Sequence, residues 1–244
     1  MPTPRPAGHL ADRRLVIAVD GPSGSGKSSV SRAVAARLGL RYLDTGAMYR
    51  ALTWWALELD VDVADPDTRA RVADLARALP LEMEESPRSP SVRVDGRDVT
   101  TAIRELRISG AVSAVATNLA VREELVRRQR EIAAADGGIV VEGRDITTVV
   151  APDADVRVLL TADESARLAR RALEVHGTDD AAAIEQTREH VVHRDRQDST
   201  VAVFTEAAEG VTVVDSSTLS LEETVEAVLA LVADRAGRVG GDAR

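Results

Sequence analysis

The stretch AVDGPSGSGKSSVSRAV, residues 18–34, decides the fold of this chain. It holds the only lysine of the 244 residues, Lys27; Lys and Arg together number 31, so every other basic side chain in that total is arginine. Residues Gly21, Pro22, Ser23, Gly24, Ser25, Gly26, Lys27 and Ser28 satisfy G-x-x-x-x-G-K-[ST], and Ser29 follows. The apolar run LVIAV (15–19) precedes the motif. KSSVSRAVAARLG follows it, with Val30, Val34 and Leu38 on one helical face and Gly39 just beyond. Strand, glycine-rich turn and helix together form the context a phosphate-binding loop requires. The glycines let backbone N–H groups turn inward on phosphate oxygens, and the helix N-terminus adds positive potential. Lys27 is then a slim point charge for the β- and γ-phosphates of ATP, and the Ser28 hydroxyl a ligand for Mg²⁺. The planar arginine fork does not substitute at so tight a place, which accounts for the single lysine. A plain Gly/Ser turn before a helix is the bland alternative; the flanking strand, the helix and the lone lysine weigh against it. A dinucleotide fold fits poorly, because Ser29 stands where its third glycine belongs.

Outward from this loop, LRYL (40–43), GIVVEG (138–143), VRVLL (156–160) and VTVV (211–214) read as strands separated by helical patterns. Strands alternating with helices predict an α/β fold with a parallel sheet covered on both faces. Two segments break the alternation. Residues 60–110 carry Pro-Ser turn signals and short alternating runs, expected as a small β insertion. Residues 161–205 hold two arginine-rich helical runs joined by Gly-Thr-Asp-Asp, a pair that buries little by itself and can move as a flap.

The net charge of -9 argues against broad, salt-driven binding to nucleic acid or anionic membrane, so a polyanion has to be held in a local basic site. The absence of cysteine excludes disulfides, thiolate metal sites and cysteine nucleophiles, and fits a reducing compartment. No apolar run approaches the roughly 18 residues of a membrane helix, and the start lacks the apolar stretch of a signal peptide. A cytoplasmic protein is expected.

Among phosphate-loop classes, a base-reading N-K-x-D is missing, since Asn118 is the only asparagine and stands in TNLA; an L-S-G-G-Q-like signature is missing too. VRVLLTADE ends in Asp163-Glu164, either a carboxylate pair that holds Mg²⁺ and activates water or the cap of the next helix, with the cap favoured. YLDTGAMYR places Thr45 or Asp44 at a helix N-cap with Tyr49 and Arg50 one turn on. VEGRDITTVV sets Arg144 and Asp145 past a strand's C-terminal end, where open parallel sheets bind ligands; a structural salt bridge is the competing role. In VREELVRRQRE, Glu123–Arg127 and Glu124–Arg128 are i,i+4 pairs of a solvated face. The histidines at 9, 176, 190 and 193 are scattered and suggest no metal cluster. No general base stands out, and a phosphate-monoester acceptor needs none, because its second pKa of about 6 leaves it largely a dianion at neutral pH. It needs cations that offset the repulsion of two polyanions and stabilise the transferred group.

Taken together, AVDGPSGSGKSS, YLDTGAMYRAL, SAVATNLAVREELVRRQR, VVEGRDITTVV and RDRQDST resemble the bacterial cytidylate kinases, in that family's order and over about residues 15–233. The resemblance implies a nucleoside monophosphate kinase fold of the P-loop NTPase class: a five-stranded parallel core, an NMP-binding region with a β insertion, and a helical lid. It implies transfer of phosphate from ATP to CMP or dCMP with Mg²⁺, by a monomer acting on small molecules, with neither nucleic acid nor membrane as partner. The corresponding layout is a tail at 1–14 and one domain over 15–236, with core 15–41, 112–160 and 206–236. The NMP-binding region is 42–111, its insertion about 60–110, the lid about 161–205, and a second tail 237–244.

By the same resemblance, Thr45, Tyr49, Arg50, Ser113, Arg122, Arg144 and Asp145 line the CMP site. Arg50 and Arg144 hold its phosphate, while Arg122 and Asp145 read the cytosine edge. Arg194 and Asp198 reach sugar and phosphates from the lid, and Arg167, Arg170 or Arg171 serve the ATP side. Lys27, Arg144, Asp145 and Arg194 are the expected catalytic set. Three positions depart from the family pattern: Val201 replaces an arginine after DST, VFTEA replaces a following Pro-Leu segment, and Thr147 replaces a glycine after GRD-I. No Lys or Arg occurs between Arg196 and Arg235, so either Arg196 compensates or turnover is slow. A binder with little turnover, or a water-activating ATPase built on TADE, are the competing readings.

Overall fold

The computed structural model describes residues 14–241. Most of the two expected tails therefore lies outside the described residues; Arg14 is tied down, donating from Nη2 to Ala133 O at 3.1 Å. The chain runs β1 (Val16–Asp20), α1 (Lys27–Leu38), β2 (Arg41–Asp44), α2 (Thr45–Glu58), α3 (Arg69–Ala78), β3 (Leu81–Met83), β4 (Val92–Val94) and β5 (Arg97–Asp98). It continues α4 (Leu106–Ala116), α5 (Leu119–Ala134), β6 (Ile139–Gly143), β7 (Val156–Thr161), α6 (Glu164–His176), α7 (Ala181–Asp198), β8 (Thr212–Asp215) and α8 (Leu221–Gly241).

The five strands expected from the apolar runs form one parallel sheet in the order β2-β6-β1-β7-β8. Its inner strands are buried on both faces, which is why they read as continuous Val/Ile/Leu runs. Helices α2, α4 and α5 pack on one side over Leu52, Ile108, Leu125 and Ile146. On the other, α1 and α8 pack over Ile17, Val34 and Val225. Leu52 and Ile146 are fully buried, so truncating either to alanine costs about 2–5 kcal/mol. Gly39 ends α1 in the left-handed region at φ 67°, as its place after the apolar face predicts. Leu38 is only half-buried; Val30, Ser31, Val34 and Ala35 carry the inner face.

The insertion is a three-stranded antiparallel sheet, β3-β4-β5, together with α3, which the turn signals did not announce. Asp95 and Gly96 close the β4–β5 hairpin with φ of 50° and 71°, the primed turn that an Asp-Gly pair favours. The arginine-rich pair is an α6–α7 hairpin. Gly177 stops α6 at φ 73°, and Asp180 starts α7 by accepting from Ala182 N and Ala183 N. Helix α8 continues to Gly241, past the boundary expected at 236.

Register places the site. Val19 lies opposite Glu142 and Asp20 opposite Gly143, while Asp44 of β2 also faces Glu142. The carboxyl ends of three neighbouring strands thus open on the loop that leaves β1, the edge where parallel sheets hold ligands.

Candidate active site

The phosphate-loop residues fold as their glycines require. A Cβ on Gly21 would sit 2.3 Å from Leu160 O of β7, so no side chain fits there. Gly24 has φ 78°, and its missing Cβ would meet Arg167 O of α6 at 2.5 Å. The loop is thereby pressed between the sheet and the first helix of the hairpin. Lys27 Nζ donates to Pro22 O at 3.3 Å across its own loop. Burial pushes its ammonium pKa down; Glu142 opposes the shift and Arg144 and Arg194 add to it.

Ser28 Oγ donates to Glu142 Oε1 at 2.5 Å, and Tyr42 Oη donates to the same oxygen at 3.0 Å. Burial, with Asp44 nearby, raises the Glu142 carboxyl pKa. Asp44, not Thr45, caps α2 by accepting from Ala47 N at 2.9 Å, and it pairs with Arg50 at 2.8 Å. Burial works against its charge, but Arg50 and Arg104 outweigh it and hold the carboxyl below its ordinary range. Thr45 Oγ1 donates instead to Glu142 O at 2.9 Å.

Arg122 of α5 pairs with Asp145 just beyond β6. Burial raises the Asp145 carboxyl pKa, and Arg122 opposes that shift. Tyr49 lines the same cleft with its phenol pushed up to about 12 by burial. Ser113 Oγ of α4 donates to Asp198 Oδ1 of α7 at 2.9 Å. Arg144 donates from Nη1 to Asp195 Oδ1 and pairs through Nε with Asp198 Oδ2, each at 2.9 Å; its guanidinium lies 4.3 Å from the Phe204 ring centroid. Arg194 stands 3.6 Å from Asp198, beyond hydrogen-bond reach, and burial followed by Arg144 lowers it to about 10.

One cleft accordingly gathers Ser23, Gly24, Gly26, Lys27, Ser28, Ser29, Thr45, Tyr49, Arg50, Arg122, Arg144, Asp145, Arg171, Arg194 and Asp198. Gly21, Pro22 and Ser25 shape the loop, Ser113 stands behind Asp198, and Arg167 does not line the cleft but donates to Ser23 O at 3.0 Å. Arg170 does not line the cleft: it donates to Ser216 Oγ at 2.9 Å and Ser216 O at 2.5 Å of the β8–α8 turn, and to Ser25 O of the loop at 3.4 Å. Val201 lines the cleft where the family pattern has arginine. Arg196 faces solvent and does not replace it.

Thr147, another of the departures, has a definite partner: its N and Oγ1 donate to Asp20 Oδ2 at 2.8 and 2.6 Å. Asp163 stands at the start of α6 without a capping side-chain bond, and Glu164 pairs with exposed Arg188, so TADE contributes no carboxylate to the cleft. On α5 the Glu124–Arg128 pair forms at 2.7 Å, but Arg127 takes Glu124 and Glu131 rather than Glu123. Tyr42 and Trp54 belong to the core.

Sequence reasoning missed Glu142, Arg104 and Asp195. Glu142 and Asp195 stand inside stretches already singled out, VVEGRD and RDRQDST, where neighbouring residues drew the attention. Arg104 carries no local signal; it enters the cleft from the insertion side, 3.8 Å from Asp44 and 3.9 Å from Glu174.

A family model described as cytidylate kinase matches residues 17–234. A protein of Cutibacterium acnes named cytidylate kinase is 53% identical over 219 residues, 89% of this chain and 96% of its own. Relatives of the same name from Rhodococcus opacus and Streptomyces avermitilis are 47% and 44% identical, covering 93% and 91% of this chain and 99% and 94% of theirs. With Lys27 in its loop and the arginines of four elements around one cleft, this chain belongs to the cytidylate kinase family.

Proposed function

We propose that this protein transfers the γ-phosphoryl group of ATP to CMP or dCMP, giving ADP and CDP or dCDP. The observation that carries the reading is the convergence of Lys27 with Arg50, Arg144, Arg171 and Arg194 on one cleft beside the phosphate loop. Two donors there, Arg50 Nε and Arg194 Nε, are buried without a hydrogen-bond partner, and the ammonium of Lys27 is held at a lowered pKa. Such a site is electrostatically uncomfortable until an anion arrives, and a pair of nucleotide phosphate tails supplies the missing charge.

The loop amides and Lys27 hold the β- and γ-phosphates. Arg50 and Arg144 hold the acceptor phosphate in line with the γ-phosphorus. The acceptor oxygen is already anionic at neutral pH, so it attacks without a general base, and the arginines stabilise the charge spread over the moving group. Arg122 and Asp145 face the base edge, and a wrong base leaves that buried pair unsatisfied. Arg194 and Asp198 close over the sugar from α7, and docking of the α6–α7 hairpin excludes water.

Magnesium fits the donor set. Ser28 Oγ and Glu142 Oε1 are hard oxygens 2.5 Å apart. Among the described residues no group of three or more His, Asp or Glu side chains forms a protein cage. That suits an ion that takes most of its ligands from phosphate and water. Ser28 would hold it directly and Glu142 through Ser28 or a water. When bound, it would offset charge on the β- and γ-phosphates.

The reading extends to a monomer acting on small molecules in the cytoplasm, in keeping with the net charge of -9 and the absence of cysteine; no described helix is long and apolar enough to cross a membrane. A binder without turnover is the less favoured reading, since relatives bearing an enzyme's name match nearly end to end. A coupled assay for ADP against CMP, dCMP, UMP, AMP and GMP tests the proposal. Product with CMP and dCMP alone is expected; equal rates with AMP or UMP would defeat the assigned specificity.

A further inference from the structure

Asp195 of α7 gathers donors from three separate segments. Its Oδ1 accepts from Ser23 N of the phosphate loop at 3.2 Å and from Arg144 Nη1, beyond β6, at 2.9 Å. Its Oδ2 accepts from Arg167 Nη1 of α6 at 2.5 Å. Arg167 also donates to Ser23 O, closing a ring of loop, α6 and α7. The three side chains are 13–15% exposed, so each charge depends on its partners. Burial works against ionised Asp195, yet Arg144, Arg167 and the Ser23 amide hold its carboxyl pKa below the ordinary value.

The placement of these partners gives Asp195 a use beyond stability. Arg167 lies over the loop, on the side assigned above to ATP. Arg144 lies at the other wall, on the side assigned to the acceptor phosphate, and its remaining faces are fixed by Asp198 and Phe204. One carboxylate therefore sets the separation of a donor-side and an acceptor-side guanidinium. Neither cation can be re-aimed without moving the other or breaking a buried charge-assisted bond.

We infer that Asp195 is a positioning residue that couples the two nucleotide sites: seating one phosphate tail on its arginine orders, through Asp195, the arginine that receives the other. The inference rests on the kinase reading. It assigns to Asp195 no contact with either substrate. Coupling of this kind is reciprocal, so each nucleotide tightens the other by the same factor.

Calorimetry on the full chain tests it. The Kd of CMP is measured with and without a non-hydrolysable ATP analogue and Mg²⁺, for wild type and Asp195→Asn. The asparagine keeps an oxygen for Ser23 N and removes the charge that holds both arginines. The expected result is a coupling factor of about five or more in wild type, falling to within about twofold of unity in Asp195→Asn. The Kd of the analogue alone should move less than about threefold and kcat should fall at least about tenfold. Asp195→Glu, which keeps the charge, recovers part of the coupling. A merely structural role would lower the melting temperature and weaken both sites while sparing the ratio. If Asp195→Asn does not fold, the coupling factor alone is read in Arg167→Lys, which keeps the charge but loses the planar fork; the Kd of the analogue should itself rise there, because Arg167 is assigned to the ATP side. Wild type without coupling, or a variant that keeps it, overturns the inference. Coupled binding with no product in wild type would instead sink the kinase reading and leave the role of Asp195 standing.

Discussion

The hydroxyl of Ser28 donates to Glu142 Oε1 at 2.5 Å, joining the first turn of α1 to the end of β6. The bond spans the narrow gap between the phosphate loop and the neighbouring strand end, and a buried carboxylate is retained there although burial raises its pKa. A fold optimised for stability alone would place an amide or an apolar group at this position.

Glu142→Gln should therefore trade function for stability. Because the folded pKa of Glu142 lies above its ordinary value of 4.5, its favourable contribution is complete below that value and is lost as the pH rises through the folded pKa. Glutamine copies the protonated form. The variant should melt above wild type at pH 8, with the gap closing towards pH 4.5. The Mg²⁺ concentration for half-maximal ADP formation should rise about tenfold. A lower melting temperature at pH 8 would contradict the assignment of Glu142.

Arg122→Gln and Asp145→Asn each leave a buried partner uncompensated. Each should weaken CMP binding by about 2 kcal/mol, roughly 30-fold, and leave the Kd of an ATP analogue within about twofold. The double variant should cost less than the sum, since the two side chains form one unit. Strictly additive losses in calorimetry would show that they act on separate groups.

Val201→Arg would add a cation to the cleft that also holds Arg194, which burial and Arg144 already lower to about 10. Without nucleotide the variant should lose about 1 kcal/mol, a fall of roughly 2–4 °C in melting temperature. CMP and an ATP analogue together should raise it by more than they raise wild type. A nucleotide shift equal to that of wild type would mean that residue 201 does not face the phosphates.

Away from the cleft, Glu124 is lowered to about 2, first by its hydrogen bond from Arg127 and also by Arg128, with burial opposing. Arg128 continues to Leu79 O and Arg77 O, so the pair fastens α5 to the end of α3. Its stabilisation is present above the ordinary pKa of 4.5 and disappears as the pH falls through about 2. Glu124→Gln should flatten the acid limb of a melting-temperature profile while kcat at pH 7.5 stays unchanged. An acid limb identical to that of wild type would exclude Glu124 as a contributor.

Much of this was legible in the chain. The loop glycines, the apolar strands and the cap residues act over a few residues, and their patterns survive in one dimension. Gly39 and Gly177 mark helix ends, and all five parallel strands lie within a residue or two of their apolar runs. What was not legible depends on contacts across long separations. Whether Asp44 or Thr45 caps α2 is settled by Thr45 finding Glu142 O, 97 residues away. The place of Thr147 is explained only by Asp20, 127 residues away. Arg170, one of three arginines on α6, stays out of the cleft lining because Ser216, with Ser25 O of the loop, offers it acceptors. Charge pairs on α5 could be listed but not chosen, because Arg127 has acceptors at both i−3 and i+4.

The decisive measurement is CMP-dependent ADP formation by wild type and Lys27→Ala under identical Mg-ATP. Wild type should turn over only when CMP or dCMP is present, and the alanine variant should lose at least about a hundredfold in kcat. It should melt no lower than wild type, because burial disfavours the Lys27 ammonium and Arg144 and Arg194 add to that, outweighing the attraction of Glu142. Undiminished turnover in Lys27→Ala, or ADP released by wild type at the same rate without CMP, would contradict phosphoryl transfer on this loop.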